Sequence, residues 1–163
     1  MKKVVFYLVS FCMVATIGTS MNRNTRNQSG MIVNNAIEDF AKKMKKKGYH
    51  LGSFGGSEEG NKTRVIEISF DTNEVLEINK VRETIHQMVG EFLSDINAND
   101  QIGQYLCESP FQSKGMNLGI FTSTSVPTKK GDVVIASLRK NKIVYYAVAN
   151  TPSGYEKILE EPF

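Results

Sequence analysis

The 163-residue sequence has no tryptophan, two cysteines and two histidines, and each scarcity removes a class of chemistry. Without tryptophan, and with few aromatics gathered on any polar face, no platform for stacking sugar rings is evident. His50 and His86 are not paired at ligand spacing and no cysteine cluster accompanies them, which argues against a zinc site. The acids are scattered, and no Asp-rich loop has calcium-ligand spacing; no metal and no cofactor is expected. Charge of one sign is lacking too. The 20 Lys+Arg against 17 Asp+Glu give a net +3. Lys2 and Lys3 are the only charged groups in residues 1–20, so the remainder carries 18 positive against 17 negative. That balance excludes a strongly basic nucleic-acid binder and an acidic solvating tail.

Long apolar runs are reduced to one, and it lies at the start. Lys2 and Lys3 precede Val4–Ile17, an almost unbroken apolar stretch of 14 residues, too short for a spanning helix of roughly 20. Gly18-Thr19-Ser20 supplies small residues at a plausible cleavage tripeptide, and polar Asn22, Arg23 and Asn24 follow. This is the order of a secretory signal peptide, with cleavage expected after Ser20 and export to the periplasm or the exterior. Its rival is an inner-membrane anchor formed by an uncleaved N-terminus. Removal of residues 1–20 takes Cys12 with it and leaves Cys107 alone, so no internal disulfide is available. A core must hold the fold. A hydrophobic content of 40% with 23% charged residues is ordinary for a globular domain, and the length fits a single one.

Residues 21–30 contain one apolar residue in ten and read as a flexible lead-in, with a single domain over 31–163. Val33, Ile37, Phe40 and Met44 recur at helical spacing, Ser29 is a plausible cap, and Gly48 is a stop. Tyr49–Phe54 reads as a short strand broken by Gly55-Gly56-Ser57. Thr63–Asp71 alternates as a half-buried strand, and the two pair as a hairpin across a loop from Gly55 to Lys62. Val81, Ile85, Met88, Val89, Phe92, Leu93 and Ile96 form one face of a long helix from about Ile78 to Ile96. Asn99 caps a short second helix carrying Ile102, Tyr105 and Leu106. Met116–Thr124, Asp132–Leu138 and Ile143–Ala149 are strand-like, with a tight turn at Lys140-Asn141 and a further edge strand at Tyr155–Leu159. The order predicts an α+β fold: a mainly antiparallel sheet of about five strands with two main helices packed on one face.

Two stretches carry a resemblance. They are Lys47-Gly48-Tyr49-His50-Leu51-Gly52-Ser53-Phe54-Gly55-Gly56-Ser57, and Glu91-Phe92-Leu93-Ser94-Asp95-Ile96-Asn97 followed by Ile102, Tyr105-Leu106 and Pro110-Phe111. Together they resemble an uncharacterised family of small exported proteins from intracellular bacteria. Its members share a helix ending in glycine, a Gly-Gly-Ser turn, an EFL-x-x-IN helix, an IRPYL-type segment and a PF dipeptide. The resemblance spans about residues 36–160 and implies an exported α+β domain without a known activity. Gly103-Gln104 stands where Arg-Pro is usual.

Few residues offer chemistry. Cys107 with His86 is the one thiol–imidazole pair a hydrolase would need, although the surrounding pattern suits a buried cysteine and a boundary histidine. As a lone thiol, Cys107 also permits a link between two chains. Gly55-Gly56-Ser57 lacks the lysine and following helix of a phosphate loop, and Glu58 and Glu59 would repel an anion. Glu67 and Asp71 face one side of a strand and would suit either paired carboxylates or an exposed polar face. Lys42, Lys43, Lys45, Lys46 and Lys47 crowd the end of the first helix. They would suit anionic lipid, phosphate or glycan, and equally a solvated face complementing the helix dipole. The expectation is a non-catalytic module binding an unknown protein partner through Gly55, Gly56, Ser57 and the adjacent sheet edge. A thiol-dependent hydrolase using Cys107 and His86 is the alternative.

Overall fold

A computed structural model of the chain describes residues 23–163; residues 1–20, read above as a signal peptide, with the expected cleavage site and Cys12, lie outside the described residues. The chain forms α1 (Arg23–Lys45), β1 (Tyr49–Glu59), β2 (Lys62–Thr72), α2 (Ile78–Asn97), α3 (Asp100–Gly103), a 3₁₀ turn (Ser113–Gly115), β3 (Met116–Thr122), β4 (Val133–Arg139), β5 (Lys142–Val148) and β6 (Tyr155–Pro162). The six strands lie in one sheet in sequence order. Every neighbouring pair is antiparallel except β2–β3, which is parallel. A parallel pair cannot be closed by a tight turn, and α2 supplies the crossover. This is the expected α+β architecture, with β6 as a sixth strand on the edge.

The helices share one face. Val33, Ile37, Phe40 and Met44 of α1, and Val81, Ile85, Met88, Val89, Phe92 and Ile96 of α2, are buried in one cluster with alternate residues of the sheet: Ile66, Ile68 and Phe70 of β2, Met116, Leu118 and Ile120 of β3, Ala136 and Leu138 of β4, Ile143 and Tyr145 of β5. Period 3.6 on the helices meets period 2 on the strands, so each element buries one side. Phe40 sits at the centre, edge-on to Phe70 (5.9 Å) and Phe92 (5.2 Å).

Three local expectations need correction. The stretch read as a lead-in is helical from Arg23, so Ser29 lies inside α1 rather than capping it. Once the packed turns exist, each upstream residue adds a backbone hydrogen bond without a new nucleation cost. Second, Gly55-Gly56-Ser57 does not break the first strand: β1 continues to Glu59, and the hairpin closes at Glu59↔Lys62. Gly60 takes the positive φ (+64°) of the turn. Third, Cys107 is exposed rather than buried. The turn at Lys140-Asn141 is as expected, with φ of 51° and 56°, the pair of positive values a type I′ hairpin requires.

Candidate functional site

β1 forms one edge of the sheet. From Tyr49 to Ser57 it carries no acid, lysine or arginine, and from Gly52 to Glu59 every residue is exposed. Among the described residues, its backbone hydrogen-bonds to β2 and to no other segment. Gly56 is required by strand spacing, whereas a Cβ on Gly55 would meet nothing within 4 Å. A Cβ built on Gly56 would stand 2.0 Å from the Val65 carbonyl oxygen, so only glycine lets β1 approach β2 this closely. Near Leu51/Ser53 the pairing shifts register, and the Ser53 N–H donates to the Ser69 hydroxyl at 2.9 Å. Ser53 therefore turns its N–H toward β2, and the alternation of an antiparallel ladder turns that of Phe54 outward. The Phe54 side chain is itself 39% exposed.

The opposite edge, β6, is different. Glu156, Lys157, Glu160, Glu161 and Pro162 stud it, the devices that discourage strand addition. Of the two edges, β1 is the one whose outer backbone is unpaired among the described residues and, from Tyr49 to Ser57, unguarded by charge.

Beside the hairpin tip lies a cleft of about 480 Å³ lined by Glu59, Arg64, Val65, Cys107, Phe111 and Lys114, among others. It forms because the segment beside β2 leaves the sheet between Cys107, whose N–H donates to the Thr63 carbonyl, and Met116, which pairs with Ile66. Asn97 closes this excursion from behind. Its Nδ2 donates to the Phe111 carbonyl at 3.0 Å and its Oδ1 accepts from the Phe111 N–H at 2.7 Å. Two parts of the motif pattern, the Asn of EFL-x-x-IN and the Phe of the PF dipeptide, thus hold each other. The cations of the cleft are partnered: Arg64 with Glu59 at 3.0 Å, Lys114 with Glu108 at 2.9 Å.

The structure does not bring Cys107 and His86 together. The Cys107 thiol faces the Lys62 carbonyl, beside β2. The His86 ring stacks on Phe163 at 4.4 Å, and Phe163 is tied to Asn141 beyond the end of β6. Strands β2 and β6 are four steps apart in the sheet, roughly 19 Å at about 4.8 Å per step. Glu67 and Asp71 do share a face, but four strand residues separate carboxylates by about 13 Å, and Glu67 accepts from Asn117 at 2.7 Å. His50 pairs in register with Asp71 on the same face. No group of three or more His, Cys, Asp or Glu side chains placed to hold a metal occurs among the described residues.

The basic corner is largely compensated. Lys42 pairs with Asp39, Lys43 with Asp95 and Lys47 with Glu91, so Lys43 ties α1, and Lys47 the turn after it, to α2. Lys45 and Lys46 remain exposed without an ion-pair partner among the described residues. No described helix is long and apolar enough to cross a membrane.

One polar constellation has no signature in the sequence. The buried Tyr145 donates its hydroxyl to Glu161 Oε1 at 2.5 Å. The same carboxylate accepts from Arg82 Nε at 2.6 Å and Nη2 at 2.9 Å. Arg82 holds the Glu161 carboxyl below the usual carboxylate range, while burial, then the bond to Glu161, pushes the Tyr145 phenol up. With His86 stacked on Phe163, this cluster clasps β6 to α2. Its members lie far apart in the chain, and nothing in their local spacing announces them.

The chain matches no protein-family model, no curated protein and no solved structure.

Proposed function

We propose that this protein is an exported, non-catalytic interaction module that binds an extended segment of a partner protein as an added strand along β1. The observation that carries the reading is the outer edge of β1, uncharged from Tyr49 to Ser57, exposed from Gly52 onward and unpaired among the described residues. Main-chain hydrogen bonds would supply affinity and the flanking side chains register. Gly55 and Gly56 present no side chain to obstruct an incoming backbone, while Phe54 offers an apolar contact beside them. The order of residues 1–20 supports action in the envelope or outside the cell, as does the resemblance to small exported proteins of intracellular bacteria.

A photo-reactive amino acid at Ser57, introduced in cells, tests the edge. The expected result is a covalent adduct with a partner protein that Phe54→Pro abolishes, because proline removes an outward N–H, while Gln87→Ala on the exposed side of α2 leaves it unchanged. An adduct indifferent to Phe54→Pro, or turnover of a defined substrate in place of any adduct, overturns the reading. N-terminal sequencing of the exported protein should begin at Met21.

A further inference from the structure

The face of the sheet opposite the helices carries a second surface. Helix-facing strand residues belong to the core cluster, whereas Phe121, Ile135, Val144, Tyr146 and Val148, which point the other way, are half-buried and lie outside it. The register pairs align one transverse row across all six strands: His50, Asp71, Phe121, Ile135, Tyr146, Lys157. A neighbouring row runs Ser53, Ser69, Gly119, Ser137, Val144, Glu160. The Phe121 ring lies back over Gly119, where a Cβ would stand 2.7 Å from it, so Phe121 and its register partner Ile135 form an apolar centre beside Ser69 and Ser137.

We infer that a second copy of this chain packs on this face, sheet against sheet, about a two-fold axis parallel to the strands. Such an axis reverses strand order, laying β1 over β6, β2 over β5 and β3 over β4 of the other copy. The first row then becomes self-complementary: Phe121 meets Ile135 twice at the centre, and Asp71 meets Tyr146 twice beside it. Within one chain neither the Asp71 carboxylate nor the Tyr146 hydroxyl has a side-chain hydrogen-bond partner among the described residues, and across the axis the phenol would donate to the carboxylate. On the flanks, Glu67 and Asp71 of β2 come to lie against the β5–β6 side, where Lys142 and Lys157 share the one carboxylate of Glu160 at 2.6 and 3.0 Å, two cations to one acid. The size is sufficient. Six strands at about 4.8 Å and seven residues at about 3.3 Å span roughly 670 Å² per copy, or about 1,300 Å² per pair. Stable interfaces bury about 1,200–2,000 Å², and aligned sheet packing at about 10 Å suits interdigitating residues of this size. An isologous contact of this kind closes on itself and stops at two copies.

Sedimentation equilibrium of the full chain, from about 1 to 100 µM, tests the pairing. A dimer is expected. Ile135→Lys should weaken it by at least about a hundredfold, as a charge placed in the centre of an interface does. Asp71→Ala and Tyr146→Phe should each weaken it by up to about tenfold, and the double variant no more than either single one, the signature of a shared contact. These two milder substitutions carry the test if Ile135→Lys does not fold. Phe54→Pro, on the β1 edge, should leave the dimer unchanged. A monomer at every concentration overturns the inference. So do a dimer lost with Phe54→Pro but kept with Ile135→Lys, and a ladder of larger oligomers.

Discussion

Tyr145→Phe isolates the clasp on β6. The side chain is fully buried, and the substitution removes one oxygen without opening a cavity larger than that atom. Arg82 still holds Glu161 through two bonds, so the cost is confined to the phenol's own hydrogen bond. Bonds to charged groups contribute about 1.5–3 kcal/mol. Glu161 retains 22% side-chain exposure, and water can occupy the vacated site on its carboxylate, which selects the lower end, about 1.5 kcal/mol. In a domain of this length that lowers Tm by about 5 °C. A pH signature accompanies the loss. The folded phenol is shifted above its ordinary value of about 10, so above that pH the unfolded chain releases the proton first and stability falls as pH rises. Tyr145→Phe removes this share of the alkaline decline. Glu161 acts with the opposite sign: its folded carboxyl is held low, so its contribution is present above the ordinary carboxylate range and lost as pH falls through the folded value. Urea denaturation at pH 7 and at about pH 10.5 measures both parts for Tyr145. A loss below about 0.5 kcal/mol together with an unaltered alkaline slope would refute the clasp, since it would leave the hydroxyl below the range of an ordinary buried hydrogen bond.

Four further outcomes are expected. Gly56→Ala forces β1 away from the Val65 carbonyl, costing about 1–3 kcal/mol as overpacking does, and hydrogen exchange should quicken along the whole hairpin. Phe92→Ala empties the aromatic centre shared with Phe40 and should cost about 3–5 kcal/mol by chemical denaturation. Asn97→Ala removes both bonds to the Phe111 backbone and leaves those groups part-buried, a loss of about 1–3 kcal/mol; limited proteolysis should then cut between Cys107 and Met116. In a Cys12→Ser background, a thiol reagent should label Cys107 completely in the native protein; protection until unfolding would contradict its exposure.

Helices and strands were legible in the sequence wherever one face is buried. The stripes of α1 and α2 and the alternation of β2 come from the hydrophobic demand itself, and the Lys140-Asn141 turn follows from backbone chemistry confined to two residues. What misled was glycine. Gly55-Gly56 reads as a break because turns are the commonest use of glycine, yet here the constraint is the approach of Val65 from the neighbouring strand, which no local pattern encodes. Cys107 follows the apolar pair Tyr105-Leu106, which suggests a core position, but the chain leaves the sheet just after its N–H bonds the Thr63 carbonyl, and the residue is exposed. The proposed edge is half visible: Gly55, Gly56 and Ser57 stand out in the sequence, but their local pattern is that of a loop. The Arg82–Tyr145–Glu161 clasp was invisible, because it joins α2, β5 and β6 through pairings that only the tertiary fold creates.

The parallel pairing of β2 with β3, alone among the six described strands, also sets how this chain must fold. The other four neighbouring strand pairs are each joined by a turn or short connection, so the β1–β2 hairpin and the β3–β6 meander can each form from nearby residues, and loops of that size close quickly. Joining the halves requires α2, α3 and the excursion that follows them to be drawn up before Ile68 meets Leu118, and the entropy of that closure is spent before any contact repays it. The seam between β2 and β3 is therefore where the barrier lies. Substitutions along it should slow folding, whereas those at the hairpin tips should mainly hasten unfolding.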